Sequence, residues 1–361
     1  MSRYLWISGA LACLATGAGF LLAEKSPVPA GEAPRVVAAA PKAPVEPRVR
    51  TVWPTPYPYF TDGADPLRWL QAPESGKVAS VGYGMIRNGG ARMHEGVDIR
   101  PVAPRDKKGE PTDVVMAAMG GRIAYANPAP NGAYGRYVVL EHRIAGVTLY
   151  TLYAHLASID ATTVAGRAIA AGGRLGVMGR SDGSGGFPKE RAHLHFEVGL
   201  RLSSNFARWY ADRRYPDPNL HGNYNGYNLT GLNPVDFFNF IRQSGGEPTE
   251  KAVEAWVRNN DIAVLVDAPV SGTPDILTRN PGLVVGAGPA KAAGWRIGFT
   301  ADGVPVRWEP LPATPAALKI VSVDNTLATE ARRYGLVVPK KRGVYEPASK
   351  LRTALELAAG L

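Results

Sequence analysis

The chain has 361 residues, of which 45% are hydrophobic and 20% are charged, a balance typical of a globular protein and not of a disordered one. This length allows two domains of ordinary size, or one domain with a long tail and a smaller attachment. The net charge of +10 suits an anionic partner such as an acidic cell-wall polymer, a membrane or a nucleic acid. The basic residues are scattered, however, and the densest cluster, 340–342, is too short for a nucleic-acid tract, so we predict no nucleic-acid partner.

Residues 1–25 predict a signal peptide or an uncleaved membrane anchor. Arg3 precedes an uncharged run over residues 4–23, and Glu24 and Lys25 close that run. We therefore expect a protein that is exported or anchored to a membrane by this segment. The only cysteine, Cys13, lies inside this segment, so the exported part has neither disulfides nor a thiolate metal site.

Residues 26–58 are rich in proline and predict a linker. Nine prolines lie between positions 27 and 58, mixed with alanine, valine and a few charges. Such a composition tends to run as an extended spacer and does not bury a core. We expect it to hold a folded unit away from the membrane.

The rest of the chain predicts a mainly β protein. From about residue 76, short β-like runs alternate with glycines, as in GVDIR, YVVLEH and HLHFEVGL, which indicates an antiparallel sheet. We assign residues 59–243 to a small antiparallel β-sheet domain, in which residues 201–232 form an insertion rich in Tyr, Asn and Arg. Residues 244–361 combine helix-like and β-like segments and form a smaller C-terminal β/α accessory region of unknown role.

Two histidines stand one residue apart in the stretch AHLHFEV, residues 192–198. Side chains of a strand alternate between its two faces, so His193 and His195 share one face while Leu194 and Phe196 occupy the other. A single histidine in such a place is most often an ordinary half-buried polar residue. The pair acquires a functional meaning only if other ligands reach the same face.

The stretch MHEGVDI supplies such ligands, because His94 precedes Asp98 by four residues. On a helix this would be a near miss of H-E-x-x-H, with Glu95 as general base. Gly96 and the β-branched Val97 argue against a helix and favour a strand that begins near Val97, with His94 in the preceding loop. On that geometry Glu95 is not the base.

His94, Asp98 and His195 together offer two imidazole nitrogens and a carboxylate oxygen. Three protein ligands leave the fourth position of a tetrahedral zinc open for water, which is the arrangement of a catalytic site. Zinc lowers the pKa of bound water from about 15.7 to about 7 and polarises a carbonyl group. His155 and His193 remain as candidates for taking the proton of the water and stabilising an oxyanion.

These motifs resemble those of the lysostaphin/LytM-type zinc endopeptidases, which cleave peptidoglycan peptides. The shared motifs run in the same order: H-x-x-x-D at His94 and Asp98, YAHL around His155, and H-x-H at His193 and His195. The resemblance extends over roughly a third of the chain. It implies that His94, Asp98 and His195 bind Zn²⁺ and that His155 and His193 are catalytic residues that do not bind the metal.

The resemblance also implies an activity, a substrate and a location. It implies that residues 59–243 are the zinc metallopeptidase catalytic domain, and that the protein is periplasmic or anchored to the inner membrane and facing the cell wall. We expect a zinc-dependent endopeptidase that hydrolyses peptide cross-links of bacterial peptidoglycan by zinc-activated water, and by analogy a D,D-endopeptidase. The alternative is a non-catalytic peptidoglycan-binding regulator of other cell-wall hydrolases. Such relatives typically lack metal ligands, whereas all five positions are present here.

Several polar and inserted residues around these motifs lead to further expectations. Glu197 shares the histidine face, and both a hydrogen bond to an imidazole and exposure to solvent are open for it. His142 is predicted at the surface, and His221 in an exposed loop. Residues 100–115 and the FPKER segment, 187–191, are longer than the family pattern and border the expected groove, so they bear on substrate preference.

Overall fold

Antiparallel strands dominate the fold, as the sequence predicts. The computed structural model describes residues 46–62, 65–71, 81–87, 92–286 and 291–361. The predicted export segment, 1–25, and the first part of the predicted linker lie outside the described residues. Within the described ranges, every helix is too short or too polar to cross a bilayer.

The strands are β1 (Ile86–Arg87), β2 (Arg92–Met93), β3 (Val97–Ile99), β4 (Val114–Met116), β5 (Gly121–Asn127), β6 (Tyr137–Ile144), β7 (Val147–Ala154), β8 (Ser158–Ile159), β9 (Ala168–Ile169), β10 (Arg174–Val177), β11 (Leu194–Arg201), β12 (Leu229–Leu232), β13 (Val264–Ala268), β14 (Gly294–Phe299), β15 (Pro305–Leu311), β16 (Lys319–Val323), β17 (Val337–Pro339) and β18 (Tyr345–Pro347). The helices are α1 (Tyr59–Asp62), α2 (Pro66–Trp69), α3 (Phe206–Asp212), α4 (Pro234–Gln243), α5 (Glu250–Arg258), α6 (Asp275–Arg279), α7 (Ala328–Arg333) and α8 (Ser349–Ala359).

A seven-stranded antiparallel sheet lies at the centre, in the order β12-β11-β7-β6-β5-β9, and β3 also pairs with β11. A three-stranded sheet, β4-β10-β8, accompanies it, and the C-terminal region forms a four-stranded sheet, β15-β14-β13-β16. The pairs β1-β2 and β17-β18 are short antiparallel ribbons. The prediction of a mainly β chain built on antiparallel sheets is confirmed.

Both faces of the central sheet are covered. One face contributes Phe196 and Tyr153 to the main hydrophobic core. The opposite face carries a second apolar cluster, which includes Tyr137 and Tyr150, and Tyr224 from the 201–232 insertion packs on it. As a result β11 is buried along almost its whole length, on the histidine face as well as on the apolar face.

The last part of the predicted linker is packed into the core. Val49, Trp53 and Tyr57 are each less than 10% exposed, and the Trp53 ring stacks on Tyr59 with ring centroids 4.0 Å apart. The structure differs here from the predicted spacer over 26–58. The reason is that burial of the large aromatic side chains at its C-terminal end is energetically favourable, and the prolines between them do not prevent it.

The C-terminal region packs against the central sheet. The β6–β7 turn donates the backbone N–H of Gly146 to Glu254 at 2.7 Å, and the Thr148 N–H donates to Asn280 Oδ1 at 2.7 Å. Apolar side chains of α5 and β13 belong to the same core as the strands of the central sheet. Residues 46–361 accordingly form one compact unit, and the domain boundary at 243/244 stays a prediction from sequence.

Candidate metal centre and active site

The register of β11 brings distant residues to one place. His195 pairs with Asp98 of β3 on one side and with Ala154 of β7, directly before His155, on the other. Directly paired residues of an antiparallel ladder point to the same face, so the Asp98 and His195 side chains meet. The strand begins at Val97 with His94 in the loop before it, as predicted.

A glycine permits this approach. Gly96 lies so close to β11 that a Cβ atom at this position would stand 2.3 Å from the Phe196 carbonyl oxygen. Any side chain here would push the His94 loop away from the strand. The glycine between His94 and Asp98 is therefore a geometric requirement of the site.

Three potential ligand atoms converge in the interior. His94 Nε2 lies 3.0 Å from Asp98 Oδ1 and 3.0 Å from His195 Nδ1, and His195 Nδ1 lies 3.1 Å from Asp98 Oδ1. All three residues are at most 5% exposed. Within the part of the chain that the structure describes, these three residues are the group of histidine and acidic side chains arranged to hold a metal ion.

The second nitrogen of each ligand histidine faces an oxygen. His94 Nδ1 lies 2.8 Å from the Gly82 carbonyl, and His195 Nε2 lies 2.8 Å from Glu197 Oε1. Each of these oxygens accepts the ring N–H, so in a neutral ring the other nitrogen holds an electron pair. Two such nitrogens and a carboxylate then face one point, which is unfavourable unless a cation or a proton lies there.

The pKa values reflect this demand for positive charge. Burial alone would lower the pKa of His195, but its hydrogen bonds to Asp98 and Glu197 raise it to about 9. Burial likewise opposes the charge of Asp98, yet the His193 and His94 imidazoles hold the pKa of this carboxyl well below its usual range. A proton at His195 thus takes the position that a metal ion would compete for.

The donor set fits zinc. Zinc prefers nitrogen and oxygen ligands at about 2.0–2.1 Å, for which the edge of the coordination tetrahedron is about 3.3 Å. The observed separations of 3.0–3.1 Å between the three atoms are close to that edge. His94, Asp98 and His195 are the residues that would hold the ion.

The remaining two histidines stand beside this group. His193 Nε2 lies 3.4 Å from Asp98 Oδ1, and the His155 ring centroid lies 4.9 Å from that of His193 and 5.9 Å from that of His195. Both rings are anchored by Nδ1–H, which donates to the Arg191 carbonyl at 2.7 Å in His193 and to the Ser181 carbonyl at 2.9 Å in His155. The structure therefore brings together all five residues singled out from the sequence.

Burial keeps both of these rings neutral. It lowers the pKa of His193, and it lowers the pKa of His155 well below the usual value, with the neighbouring His193 and His195 adding to the effect. A neutral imidazole that donates through Nδ1 presents Nε2 as a base. The two rings can accept a proton from water next to the metal site.

His155 has an unusual backbone conformation. Its φ of 62° is in the left-handed region, which a residue with a Cβ rarely occupies. Hydrogen bonds on both sides hold it there: its N–H donates to the Tyr134 carbonyl at 3.0 Å, and its ring donates to Ser181. Gly135 permits this arrangement, since a Cβ there would stand 2.2 Å from the Ser181 carbonyl oxygen.

Glu197 is fully buried and serves as a partner of His195, which settles the two possibilities left by the sequence. Its two carboxylate oxygens also accept hydrogen bonds from the hydroxyls of Tyr134 and Tyr150, each at 2.7 Å. Burial raises the pKa of this carboxyl, but the bonds to His195 and the two tyrosines outweigh that effect and lower it. The sequence analysis singled out neither tyrosine, although Tyr134 lies in the glycine-flanked stretch GAYGRY, residues 132–137.

Phe187 is a further residue at the site that the sequence did not single out. Its ring stacks on His193 at 4.8 Å and meets His155 edge-on at 5.0 Å. It belongs to the FPKER segment, 187–191, whose Lys189 carbonyl accepts a hydrogen bond from Arg105 of the other long loop at 3.0 Å. Arg180 links the two loops as well, because it donates to the Phe187 carbonyl at 2.8 Å and forms a salt bridge with Glu110. The extra length of both loops was the available signal.

Two other histidines do not belong to this group. His142 is 1% exposed, so the prediction of a surface position is wrong: β6 is a central strand with both faces covered. Its ring donates to the Gly120 carbonyl at 2.8 Å and contacts Thr151 Oγ1 at 2.8 Å, and burial lowers its pKa to about 4. His221 is half-buried in the insertion, where it packs edge-on against Tyr137.

Comparison with known proteins bears on the same part of the chain. The profile described as peptidase family M23 matches residues 92–205, which contain all five site residues. Comparison with curated proteins yields no match.

Two solved structures are among those similar to this chain. The catalytic domain of the antimicrobial peptidase lysostaphin from Staphylococcus simulans shares 21% identity and a TM-score of 0.29, over 44% of this chain and 89% of that one. A zinc containing peptidase from Vibrio cholerae shares 20% identity and a TM-score of 0.28, over 42% of this chain. The match spans 37% of the length of the Vibrio protein.

Proposed function

We propose that this chain, in which residues 92–205 match the profile of peptidase family M23, is a zinc-dependent endopeptidase that hydrolyses peptide cross-links of bacterial peptidoglycan. The observation that carries the proposal is the convergence of His94 Nε2, Asp98 Oδ1 and His195 Nδ1 on one point, with two neutral histidines beside them. Such an arrangement meets the needs of peptide hydrolysis, which requires an activated water, a proton acceptor and a stabilised oxyanion.

Each group of residues has a part in the reaction. When bound, zinc supplies a Lewis acid that acidifies water and polarises the scissile carbonyl. Glu197 fixes the His195 ring so that Nδ1 faces the site. The neutral His193 or His155 accepts the proton of the attacking water at Nε2. The protonated ring then donates to the oxyanion or returns the proton to the leaving amine.

Features of the sequence support the proposed substrate and location. The uncharged segment 4–23 supports export, with the protein periplasmic or anchored to the inner membrane and facing the wall. The net charge of +10 suits an anionic wall polymer. By analogy we propose D,D-endopeptidase activity on cross-links between stem peptides.

Digestion of purified sacculi tests the proposal. The protein is incubated with sacculi, with and without a chelator, and the released and residual fragments are identified by mass spectrometry. We expect cross-linked dimers to be converted to monomers by the wild type, and neither the chelator-treated protein nor the His193→Ala variant to do so. A wild-type protein that binds zinc and sacculi but leaves every cross-link intact would support the non-catalytic regulator instead.

A further inference from the structure

The loop that carries His94 is held by a short preceding segment, 82–85. The His94 N–H donates to the Met85 carbonyl at 2.8 Å, and the Gly84 N–H donates to the His94 carbonyl at 2.9 Å. The His94 ring donates through Nδ1 to the Gly82 carbonyl at 2.8 Å. Both the backbone and the ring of this metal ligand therefore take their positions from this segment.

The C-terminal region contacts the same segment. The Tyr83 hydroxyl forms a hydrogen bond with the carboxylate of Asp302, and it lies 2.6 Å from the Gly231 carbonyl oxygen. Gly84 packs so closely on Tyr334 that a Cβ there would stand 2.5 Å from the phenol oxygen. Tyr83 is thus the point at which the catalytic and C-terminal parts of the chain share a polar contact next to His94.

A second contact lies on the other side of His94. Lys350, at the start of α8, brings its Nζ to 3.6 Å from the sulfur of Met93, the residue directly before the ligand. The Lys350 side chain also packs over Gly303, the neighbour of Asp302. The C-terminal region therefore touches segment 82–85 and the His94 loop at three places, which are the β14–β15 turn, Tyr334 directly after α7, and α8.

Asp302 is itself held in place. It lies in the turn between β14 and β15, where the Thr300 N–H donates to the Val304 carbonyl at 3.0 Å and the Thr300 hydroxyl contacts the Asp302 carboxylate. Gly303 takes a φ of 96°, which a tight turn of this kind requires. The carboxylate that meets Tyr83 is thus presented by a rigid hairpin and not by a free loop.

From these contacts we infer that the C-terminal region is a positioning element of the metal site, in which Asp302, through Tyr83 and the Gly82 carbonyl, orients the imidazole of His94. The inference rests on the proposed metal site and extends it to residues that never touch the ion. Outer partners that orient a ligand histidine contribute substantially to metal affinity. Residues 244–361 therefore contribute to the site itself, because their contacts with Tyr83 and Met93 support the chain on both sides of His94.

Zinc affinity of the full chain tests this inference. The wild type and the variants Tyr83→Phe and Asp302→Asn are stripped of metal, and their zinc affinity is measured by competition with a chromophoric chelator at one pH. We expect each variant to bind zinc about three- to tenfold more weakly, less than the 10–100-fold typical of a residue in direct contact with the ligand. The double variant should bind zinc about as tightly as the more strongly affected of the two single variants, because both changes break the same link.

Two further variants serve as a matched control and as a second test of the Asp302 contact. Glu309→Gln alters an exposed residue of the same hairpin and should keep wild-type affinity. Thr300→Val removes the support of Asp302 without touching Tyr83, so it should weaken zinc binding even if one of the other variants folds poorly. Wild-type affinity in all three positioning variants, or additive losses in the double variant, would overturn the inference.

The outcomes separate this inference from the proposed function. A wild type that binds zinc and cuts no cross-link removes the proposed activity, while weaker zinc binding in the variants still supports the positioning role. An active wild type whose variants retain full zinc affinity removes the positioning role alone.

Discussion

Glu197 Oε1 lies 2.8 Å from Nε2 of His195, which is the ring nitrogen that does not face Asp98. The contact holds His195 in the orientation in which Nδ1 meets the other two ligand atoms. Since Glu197 is 0% exposed and also accepts two tyrosine hydroxyls, its charge is confined to this network. The carboxylate both orients the imidazole and increases its basicity.

The substitution Glu197→Gln tests that role. Glutamine has nearly the same shape but no charge, so His195 becomes a weaker ligand. We expect zinc affinity to fall about 10–100-fold. The measurement is chelator competition, and Glu309→Gln serves as the control because it removes the same charge at an exposed site. An unchanged affinity in Glu197→Gln would show that the contact does not tune the ligand.

The variants His195→Ala and His193→Ala form a matched pair within one motif. His195→Ala removes a ligand and should lose the bound zinc, as measured by elemental analysis of the purified protein. His193→Ala should keep the zinc but lose about a hundredfold or more in turnover, as expected when a general base or oxyanion partner is removed. Full zinc occupancy in the first variant contradicts the ligand assignment, and near-normal turnover in the second contradicts the catalytic one.

Phe187 offers a test of the inserted segment. Its ring packs against both catalytic histidines, and aromatic contacts of this kind contribute about 0.5–1.5 kcal/mol. Phe187→Ala should therefore lower kcat/KM about two- to tenfold with zinc content unchanged, whereas Phe187→Leu should lose less. Cleavage of a defined cross-linked peptide by the three proteins measures the effect. Equal kcat/KM values for all three would mean that the ring has no part in positioning the histidines.

His142 predicts a pH dependence of stability that is separate from catalysis. Burial lowers its pKa to about 4 in the folded protein, whereas an unfolded chain has a pKa of about 6.5. Because the folded value is the lower one, the contribution is fully present above pH 6.5 and is lost as the pH falls towards 4. The whole contribution is about 3 kcal/mol, and about 2 kcal/mol of it should be lost between pH 7 and pH 5.

Urea unfolding at both pH values measures this contribution. The free energy of unfolding of wild type minus that of His142→Gln should decrease by about 2 kcal/mol from pH 7 to pH 5, because glutamine does not titrate. The difference between the two proteins cancels the other titrating groups. A constant difference would mean that His142 is not held neutral in the fold.

The sequence was sufficient to select the five residues that meet at the site. Histidine and aspartate side chains are recognisable metal ligands and proton acceptors, and their spacing along a strand decides which face of the sheet they occupy. It also predicted that the strand would begin at Val97 and that Glu95 would stand outside a helix. The mainly β architecture followed from the same period-two patterns and glycine-rich turns.

The contacts that orient the histidines could not be predicted in this way. Three of the four anchoring oxygens are backbone carbonyls, those of Gly82, Ser181 and Arg191. Every residue has a carbonyl, so only the folded path of the chain decides which one meets an imidazole. The burial of Trp53 was missed for a related reason: composition assigned its stretch to a spacer, while the core offered space for its ring.

The pairing of β3 with β11 has a consequence for how the protein matures. His195 is 97 residues from Asp98 and 101 from His94 in sequence, so the three proposed ligands are far apart in a growing or unfolded chain. The metal ion can therefore bind only after β3 has paired with β11, and it then stabilises the folded protein. Under the proposed function, an unfolded copy in transit has no assembled metal site and therefore no hydrolytic activity towards the cell that makes it.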